Sequence, residues 1–219
     1  MTRTALVTGA SGGIGAAVAR ALAPTHEVWL GARKPVTGLP GRPWPVDLRD
    51  FGSFEERTQD IESLDVLVHS AGMVEIASLE DHTPQLWRET FALNVVAVAE
   101  LTRVLLPKLR EAHGHVVLIN SGSGIRANPN WGAYAASKFA LRAYADVLRA
   151  EVPEIRVTSV FPGRTDTGMQ HAVRDAEGGQ YEPEKYLRPD TVAQAVLNAI
   201  NTPGDAHPTE VVIRPRGAV

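Results

Sequence analysis

Thr4-Ala-Leu-Val-Thr-Gly-Ala-Ser-Gly-Gly-Ile-Gly15 is the stretch of this sequence that decides the fold. Its apolar run from Ala5 to Val7 does not alternate with polar residues, which is typical of a strand covered on both faces. From Ile14 the apolar residues recur at helical spacing, so the glycines in between predict a tight turn that ends at a helix N-terminus. Free main-chain N–H groups and the positive end of the helix dipole favour an anionic ligand there, and a diphosphate is the natural one.

The same glycines allow two other interpretations. Gly9-Ala-Ser-Gly-Gly13 also fits G-x-S-x-G, the strained turn that presents a nucleophilic serine in α/β-hydrolases. Ser11 would then be the nucleophile, and His207 is available as the histidine that must follow late in the chain. A packing turn in any α/β protein is the third interpretation. A hydrolase turn normally follows several strands, whereas this one follows the first, so nucleotide binding is favoured.

Length and composition favour one soluble enzyme domain. The 219 residues, of which 44% are apolar, suffice for a single α/β domain over residues 1–219 with a sizeable core. A net charge of −3 without a basic block argues against nucleic-acid binding. The chain has no cysteine, and its seven histidines form no metal-binding motif, so we expect neither disulfides nor a metal site. We find no signal-peptide pattern and no apolar run near the length of a membrane span, which favours the cytoplasm and no membrane contact.

Strand and helix patterns alternate along the chain. Four prolines between residues 35 and 46 exclude a helix there, so we expect an extended loop and a short strand before Asp47. Residues 164–188 show no clear period and predict a mobile covering loop. The alternation predicts a Rossmann-type, doubly wound parallel sheet of about seven strands with helices on both faces. The remaining predicted strands are 27–31, 65–69, 115–120, 155–160 and 210–214, and the clearest further helices begin at Pro84, near Ala133 and at Pro189.

The end of the second predicted strand bears on the choice of cofactor. In a dinucleotide fold an acidic residue at this point binds the ribose hydroxyls of NAD, while a basic residue accommodates the 2′-phosphate of NADP. This chain has Arg33 followed by Lys34 and no acid. The pattern favours NADP(H) over NAD, although a solvated basic pair at a strand end is also common.

Three residues could form a site for carbonyl reduction. Tyr134 and Lys138 are four residues apart near the start of a predicted helix, so their side chains share one face. A phenol with a pKa near ~10 is a poor acid–base group at neutral pH, but a nearby ammonium favours the phenolate and lowers that pKa. Ser121 follows the preceding strand at the same sheet edge, where it can hydrogen-bond a substrate oxygen. A Tyr and a Lys at this spacing are common by themselves, and only the combination points to chemistry.

Several motifs keep a common order along the chain. They are Thr8-Gly9…Gly13-x-Gly15, Ser70-Ala71-Gly72, Asn94, Ser121, Tyr134-x-x-x-Lys138 and Pro162-Gly163. Together they resemble the motifs of the classical short-chain dehydrogenase/reductase family, over essentially the whole chain from Thr4 to Arg214. Because several independent motifs keep both order and approximate spacing, the resemblance is specific.

The resemblance implies a role for each matching residue. Tyr134 would be the catalytic acid–base group, and Lys138 would hold the nicotinamide ribose and lower the tyrosine pKa. Ser121 would polarise the substrate, with Ser123 as a less favoured substitute. Asn94 would shape the middle helix and anchor a proton-relay water, the alternative being an asparagine that bonds only locally. Besides Tyr134 and Lys138, the cofactor-binding residues that the resemblance implies are Gly9, Ser11, Gly13, Ile14, Gly15, Arg33, Asp47, Leu48, Ala71, Gly72, Pro162, Gly163 and Thr167.

The chain also departs from the family pattern. It has His69-Ser70 where the family usually has two asparagines, and we interpret His69 as a structural replacement at a strand end. Gly12 stands where many NADP(H)-dependent members carry a basic residue, so the preference for NADP(H) depends mainly on Arg33. The family commonly pairs its long central helices, which implies a homodimer or homotetramer.

The predicted function is that of an NADP(H)-dependent oxidoreductase, which reduces a small-molecule ketone or aldehyde or oxidises the corresponding secondary alcohol. The alternatives are a serine hydrolase built on Ser11 and a nucleotide-sensing binding protein that has lost catalysis. No charged clamp for a carboxylate or phosphate is evident, and a partly apolar, medium-sized substrate is expected. The predicted pocket walls are Met73, Val74, residues 128–131, Met169, His171, Tyr181 and Tyr186.

Overall fold

The chain forms one seven-stranded parallel sheet with helices on both faces, which confirms the predicted fold class. A computed structural model describes residues 3–217. The strand order is β3-β2-β1-β4-β5-β6-β7. The strands are β1 (Arg3–Thr8), β2 (His26–Ala32), β3 (Arg42–Pro45), β4 (Val66–His69), β5 (His115–Ile119), β6 (Arg156–Pro162) and β7 (Glu210–Ile213). The helices are α1 (Gly13–Leu22), α2 (Phe54–Arg57), α3 (Pro84–Phe91), α4 (Ala97–Glu111), α5 (Gly132–Glu151), α6 (Gly168–Ala176) and α7 (Pro189–Ile200), with a π-helical turn at Ala92–Val96.

Strand β1 lies in the middle of the sheet, as its uninterrupted apolar run predicts. Successive side chains of the strand enter opposite layers: Ala5 and Val7 pack in the core under α1 and α7, and Leu6 packs in the core under α4 and α5. All three are fully buried. The chain leaves β1 toward β2 on one side and later returns to β4 on the other. In open α/β sheets, ligands bind beyond the carboxyl ends of the strands at this point of reversal.

The connection between β2 and β3 is a loop, as the prolines predict. Val36 and Leu39 of this loop pack against the core that lies under α1 and α7, in the place that a crossover helix would cover. Strand β3 still pairs in parallel with β2. Its Trp44 is buried, and the indole Nε1 donates a hydrogen bond of 2.7 Å to the main-chain oxygen of Arg57. Two partly buried apolar side chains thus cover this face of the sheet, while Trp44 packs in the core on the opposite face.

One continuous helical segment, Pro84–Glu111, runs along the sheet. Thr83 caps its start by accepting a hydrogen bond from the main-chain nitrogen of Leu86, as the Thr-Pro pair predicts. The segment is long and apolar enough to cross a membrane by length and composition alone, which corrects the statement that no apolar run approaches a membrane span. Its apolar stripe packs in the core of the sheet, with Leu101, Leu105 and Leu109 fully buried. The core position of that stripe accounts for the apolar composition.

The covering segment that follows β6 is more regular than predicted. Residues 168–176 form helix α6, and Pro183–Lys185 forms a 3-10 turn, where the sequence predicted a loop without regular structure. Only Gln170 and Val173 of α6 are buried, so its apolar period is too weak to read from the sequence. Glu177 binds Arg164 through both carboxylate oxygens and also contacts Arg174, which ties the end of the helix to its beginning.

His69 ends β4 with a buried imidazole. Its Nε2 lies 2.9 Å from Oγ1 of Thr102, so the side chain connects the strand to α4. Burial lowers the pKa of His69 to about 3. The geometry supports the interpretation of His69 as a structural residue.

We expect His69 to make the protein sensitive to acid. Its folded-state pKa is below the ordinary value of 6.5. Between these two values the unfolded chain binds the extra proton, so the free energy of unfolding falls as the pH falls from about 6.5 toward 3. The contribution of one such histidine is about 1.4 kcal/mol per pH unit. His69→Asn should lose this contribution, as measured by urea unfolding at several pH values.

The matched control for the acid experiment is His113→Asn. His113 is exposed, and its positive φ of 48° is one that asparagine tolerates. This variant should keep the slope of stability against pH that the unchanged protein has. If His69→Asn kept the same slope as well, the buried imidazole would not be the group that titrates.

Candidate active site

The glycine turn after β1 brings the main chain close to its neighbours. A Cβ atom at Gly15 would lie 2.3 Å from the main-chain oxygen of Gly9, and a Cβ at Gly9 would lie 2.9 Å from the backbone of Ala71. Gly9 and Gly13 have positive φ values of 71° and 54°. Gly9 therefore requires glycine for both conformation and close approach, Gly13 for its conformation, and Gly15 for its close approach to Gly9.

The N-terminus of α1 has the features of a diphosphate site. Gly12 is the N-cap residue, and no side chain caps the helix. The first turn carries no acidic residue, and a Cβ at Gly12 would meet no atom within 4 Å. Free N–H groups and the positive end of the helix dipole together fit a diphosphate. Ser11 and Ile14 lie in the same turn, and Ile14 also lines the cavity described below.

Ser121 lies directly after β5 and is held there by Asn120. The Asn120 side chain accepts a 2.8 Å hydrogen bond from the main-chain nitrogen of Ser121, and it donates one of 3.1 Å to the main-chain oxygen of Lys138. The sequence predicts Asn120 only as the last residue of a strand, whereas β5 ends at Ile119. A polar residue that closes an otherwise apolar strand was the available signal.

Tyr134 and Lys138 lie one turn apart in α5, as predicted, and both are buried. The Lys138 ammonium lies 5.7 Å from the centre of the Tyr134 ring and donates a 2.9 Å hydrogen bond to the main-chain oxygen of Ile119. Burial lowers the pKa of Lys138 to about 8. Burial also raises the pKa of Tyr134, opposed by a hydrogen bond with Ser121. Lys138 makes no contribution to this shift, so the lowering of the tyrosine pKa that was expected from Lys138 is not found among the described residues.

Asn94 joins three segments around this site. Its Oδ1 accepts a 2.9 Å hydrogen bond from the main-chain nitrogen of Met73, and its Nδ2 donates to the main-chain oxygen of Met73 and to Oγ of Ser137, each at 3.0 Å. Asn94 lies in the π-helical turn before α4. Turns of this kind are frequent at functional sites. The asparagine thus bonds across segments rather than locally, while the relay water stays a prediction.

The residues predicted to bind adenosine gather at the ends of β2 and β3. Arg33 follows β2 and is exposed, and Leu48 packs against the core. The Asp47 carboxylate accepts hydrogen bonds from Nε and Nη2 of Arg49 at 3.2 Å and 3.1 Å. These bonds lower the pKa of Asp47, and the charge of Arg33 adds to the effect. Arg49 is a second cation at this end of the sheet that the sequence analysis missed.

The end of β6 faces the glycine turn. Thr167 caps α6 by accepting a hydrogen bond from the main-chain nitrogen of Gln170. A Cβ at Gly13 would lie 3.0 Å from Cγ2 of Thr167, so the covering segment contacts the turn directly. Pro162, Gly163 and Thr167 all line one cavity, whereas Ala71 and Gly72 lie on the other side of the turn, beside Gly9 and Asn94.

A cavity of about 240 Å³ lies between the ends of β5, β6 and α6. Ser121 and Tyr134 both line it, so the structure brings the two predicted catalytic side chains to one space. Val74, Asn128, Trp131 and Met169 of the predicted walls are confirmed as lining residues.

The cavity also corrects the predicted pocket. The predicted wall residues that are not part of the cavity are Met73, Pro129, Asn130, His171, Tyr181 and Tyr186. His171 and Tyr181 stack on each other instead, with Tyr186 beside them. Arg164, Gln170 and Arg214 line the cavity, although the sequence analysis saw no charged clamp.

The hydrolase interpretation does not fit this arrangement. Ser11 lies beyond the carboxyl end of β1, and Nε2 of His207 lies 3.0 Å from main-chain atoms of Val157 near the beginning of β6. Because all strands are parallel, these two points are at opposite edges of the sheet. Ser11 and His207 therefore cannot form a catalytic pair. No group of three or more metal-binding side chains occurs among residues 3–217.

A dinucleotide-type sheet with Ser, Tyr and Lys at its carboxyl edge defines the class of this protein. Comparisons with known proteins then identify the family. The family model "short chain dehydrogenase" matches residues 3–178. The mouse protein "Dehydrogenase/reductase SDR family member 11" is 33% identical over 97% of this chain and 94% of its own length. The chain belongs to the classical short-chain dehydrogenase/reductase family of oxidoreductases.

Comparisons with solved structures also support this family assignment. An alcohol dehydrogenase from the archaeon Thermococcus sibiricus, complexed with 5-hydroxy-NADP, matches with a TM-score of 0.86 and 28% identity over 97% of this chain and 96% of that one. A short chain dehydrogenase from Burkholderia cenocepacia in complex with NADP matches with a TM-score of 0.84 and 26% identity over 96% and 87%. Both similarities extend over nearly the whole of this chain.

Proposed function

We propose that this protein is an NADPH-dependent carbonyl reductase or alcohol dehydrogenase. The observation that carries the proposal is the convergence of Ser121 and Tyr134 on one cavity wall, with Lys138 buried behind them. The 5-hydroxy-NADP and the NADP in two similar structures support a nicotinamide cofactor. When bound, this cofactor supplies or accepts the hydride.

The side chains divide the remaining work. Ser121 donates a hydrogen bond to the substrate oxygen, and Tyr134 donates the proton that this oxygen needs in the reducing direction. A phenol whose pKa is raised by burial is protonated at neutral pH, which is the form that reduction requires. Lys138, with its pKa lowered to about 8, keeps most of its positive charge at pH 7 and can bind the hydroxyls of the nicotinamide ribose. Asn94 positions α4 against α5.

The direct test is NADPH consumption over a panel of ketones and aldehydes. Turnover with any of them supports the proposal, and tight NADPH binding without turnover on a broad panel would favour the alternative of a nucleotide-sensing binding protein. The retained set of Ser121, Tyr134 and Lys138 speaks for catalysis.

The proposed preference for NADPH depends on Arg33. Its guanidinium follows β2 and is exposed, where it can meet a 2′-phosphate. Arg33→Ala should lower kcat/KM for NADPH about 10-fold to 100-fold, because a charge-assisted contact is lost, and should change the value for NADH far less. Steady-state kinetics with both cofactors measure the ratio.

The control for this comparison is Arg110→Ala, which removes the same charge from the far end of α4. It should leave the cofactor ratio unchanged. A preference of the unchanged protein for NADH would show that the assignment of the 2′-phosphate to Arg33 is wrong.

We also propose that the protein is a homodimer or homotetramer. Val96, Phe139 and Val147 are large apolar residues of the α4–α5 region that stay exposed in the single chain, and a second copy could cover them. Light scattering tests this, since one chain has a mass of 23.6 kDa. A cytoplasmic location stays a prediction from the sequence.

A further inference from the structure

The cavity beside Tyr134 contains a positive charge that carbonyl reduction does not need. Its described lining includes Arg164 and Arg214 and neither aspartate nor glutamate. The charge of Arg164 is compensated, because Glu177 accepts two hydrogen bonds from it, at 2.8 Å and 2.6 Å. Arg214 has no carboxylate within 4 Å among residues 3–217. One cationic group therefore faces the cavity without an acidic partner.

Main-chain atoms hold Arg214 next to the proposed catalytic serine. Its Nη1 donates hydrogen bonds to the main-chain oxygens of Phe161, at 2.7 Å, and of Ile213, at 3.1 Å. The guanidinium lies against Gly122, where a Cβ would be 3.3 Å from Nη2 and 3.4 Å from Cζ. Gly122 directly follows Ser121, so the cation lies beside the residue that is proposed to bind the substrate oxygen. The two carbonyl contacts fix the guanidinium while its Nη2 has no hydrogen-bond partner in residues 3–217.

A second polar group in the same wall also has no partner. Gln170 is only 7% exposed, and its Nε2 makes no hydrogen bond with the described part of the chain. Buried amides are normally paired, so an unpaired one in a cavity wall points to a ligand that pairs with it. Gln170 is fixed in place because its main-chain nitrogen donates to the Thr167 cap of α6.

We propose that the substrate is a small carbonyl compound that carries a carboxylate close to its carbonyl group, and that Arg214, assisted by Gln170, selects it. This inference rests on the proposed oxidoreductase function. One free guanidinium and one amide in a cavity of about 240 Å³ suit a single carboxylate of an oxo acid. In the reaction, the C=O π bond would open as its carbon gains a hydride and its oxygen gains the Tyr134 proton, and the carboxylate would stay unchanged. NADPH would be oxidised to NADP+, and Tyr134 would regain its proton from solvent.

The test compares oxo acids with their methyl esters, which keep the carbonyl and lose the charge. Benzoylformate and acetoacetate, each against its methyl ester, are the probes, and the acid-to-ester ratio of kcat/KM is the readout. Arg214→Gln should lower this ratio about 10-fold to 100-fold, because a charge-assisted contact is lost. Arg214→Lys keeps the charge and should retain more of the ratio. Arg214 and Arg216 are both exposed residues, but only Arg214 lines the cavity, so Arg216→Gln should leave the ratio unchanged.

A binding measurement makes the inference testable without turnover. Calorimetry should show that the unchanged protein binds benzoate more tightly than benzamide, both with and without NADPH, and that Arg214→Gln removes the difference. An acid-to-ester ratio that is equal in the unchanged protein and in Arg214→Gln would overturn the inference and leave the oxidoreductase function standing. Absence of NADPH consumption with acids, esters and neutral ketones alike would count against the proposed function, and benzoate binding would still decide the role of Arg214.

Discussion

Tyr134→Phe should lower kcat for carbonyl reduction about 100-fold to 10 000-fold, which is the usual contribution of a positioned acid–base group. The change removes only the hydroxyl. The ring remains to pack edge to face against Trp131, whose centre is 5.6 Å away, so the fold and the affinity for NADPH should be nearly unchanged. Kinetics of NADPH consumption measure the first effect, and fluorescence titration with NADPH measures the second.

Tyr144→Phe is the matched control, since it removes a phenol hydroxyl from the same helix. Tyr144 packs against the core on the α4 side, away from the cavity. This variant should keep the activity of the unchanged protein. Full activity of Tyr134→Phe would show that Tyr134 is not the acid–base group.

The parts of the fold and site that could be predicted follow from local patterns. Ala5, Leu6 and Val7 form an apolar run that is typical of a strand buried on both faces, and all three are buried. In a parallel sheet the carboxyl ends of all strands lie at one edge, so Ser121 and Tyr134 had to meet once the alternation of strands and helices was recognised. These predictions needed only the order and the direction of the strands and no knowledge of how side chains pack.

The parts that could not be predicted depend on packing between distant segments. In the sequence, Arg214 is simply the last residue of a predicted strand. Only the contacts of its guanidinium with Phe161 and Gly122 bring it to the cavity. Helix α6 could not be predicted, because two buried side chains in nine residues give no recognisable helical period. The direction of the Tyr134 pKa shift could not be predicted either, since the spacing in the sequence reveals the nearby Lys138 but not the extent of burial.

Gly15→Ala should lower both stability and cofactor affinity. The new methyl group would lie 2.3 Å from the oxygen and 2.7 Å from the carbonyl carbon of Gly9. The helix must then move away from the turn, at a cost of about 1–3 kcal/mol in the free energy of unfolding. The same movement displaces the N–H groups proposed to bind the diphosphate, so NADPH affinity should fall by about tenfold or more. Urea unfolding without NADPH and fluorescence titration with it measure the two effects.

Gly12→Ala is the control that distinguishes crowding at Gly15 from a general intolerance of the glycine turn to added side chains. Gly12 has an extended backbone with φ near 180°, and its added Cβ would meet no atom within 4 Å. Stability should therefore change by less than about 0.5 kcal/mol, as for ordinary surface substitutions. Loss of NADPH affinity in Gly15→Ala but not in Gly12→Ala would assign the defect to the position of α1. Unchanged NADPH affinity in Gly15→Ala would show that the cofactor is not bound at this helix N-terminus, because the crowded carbonyl of Gly9 leaves the helix no way to stay in place.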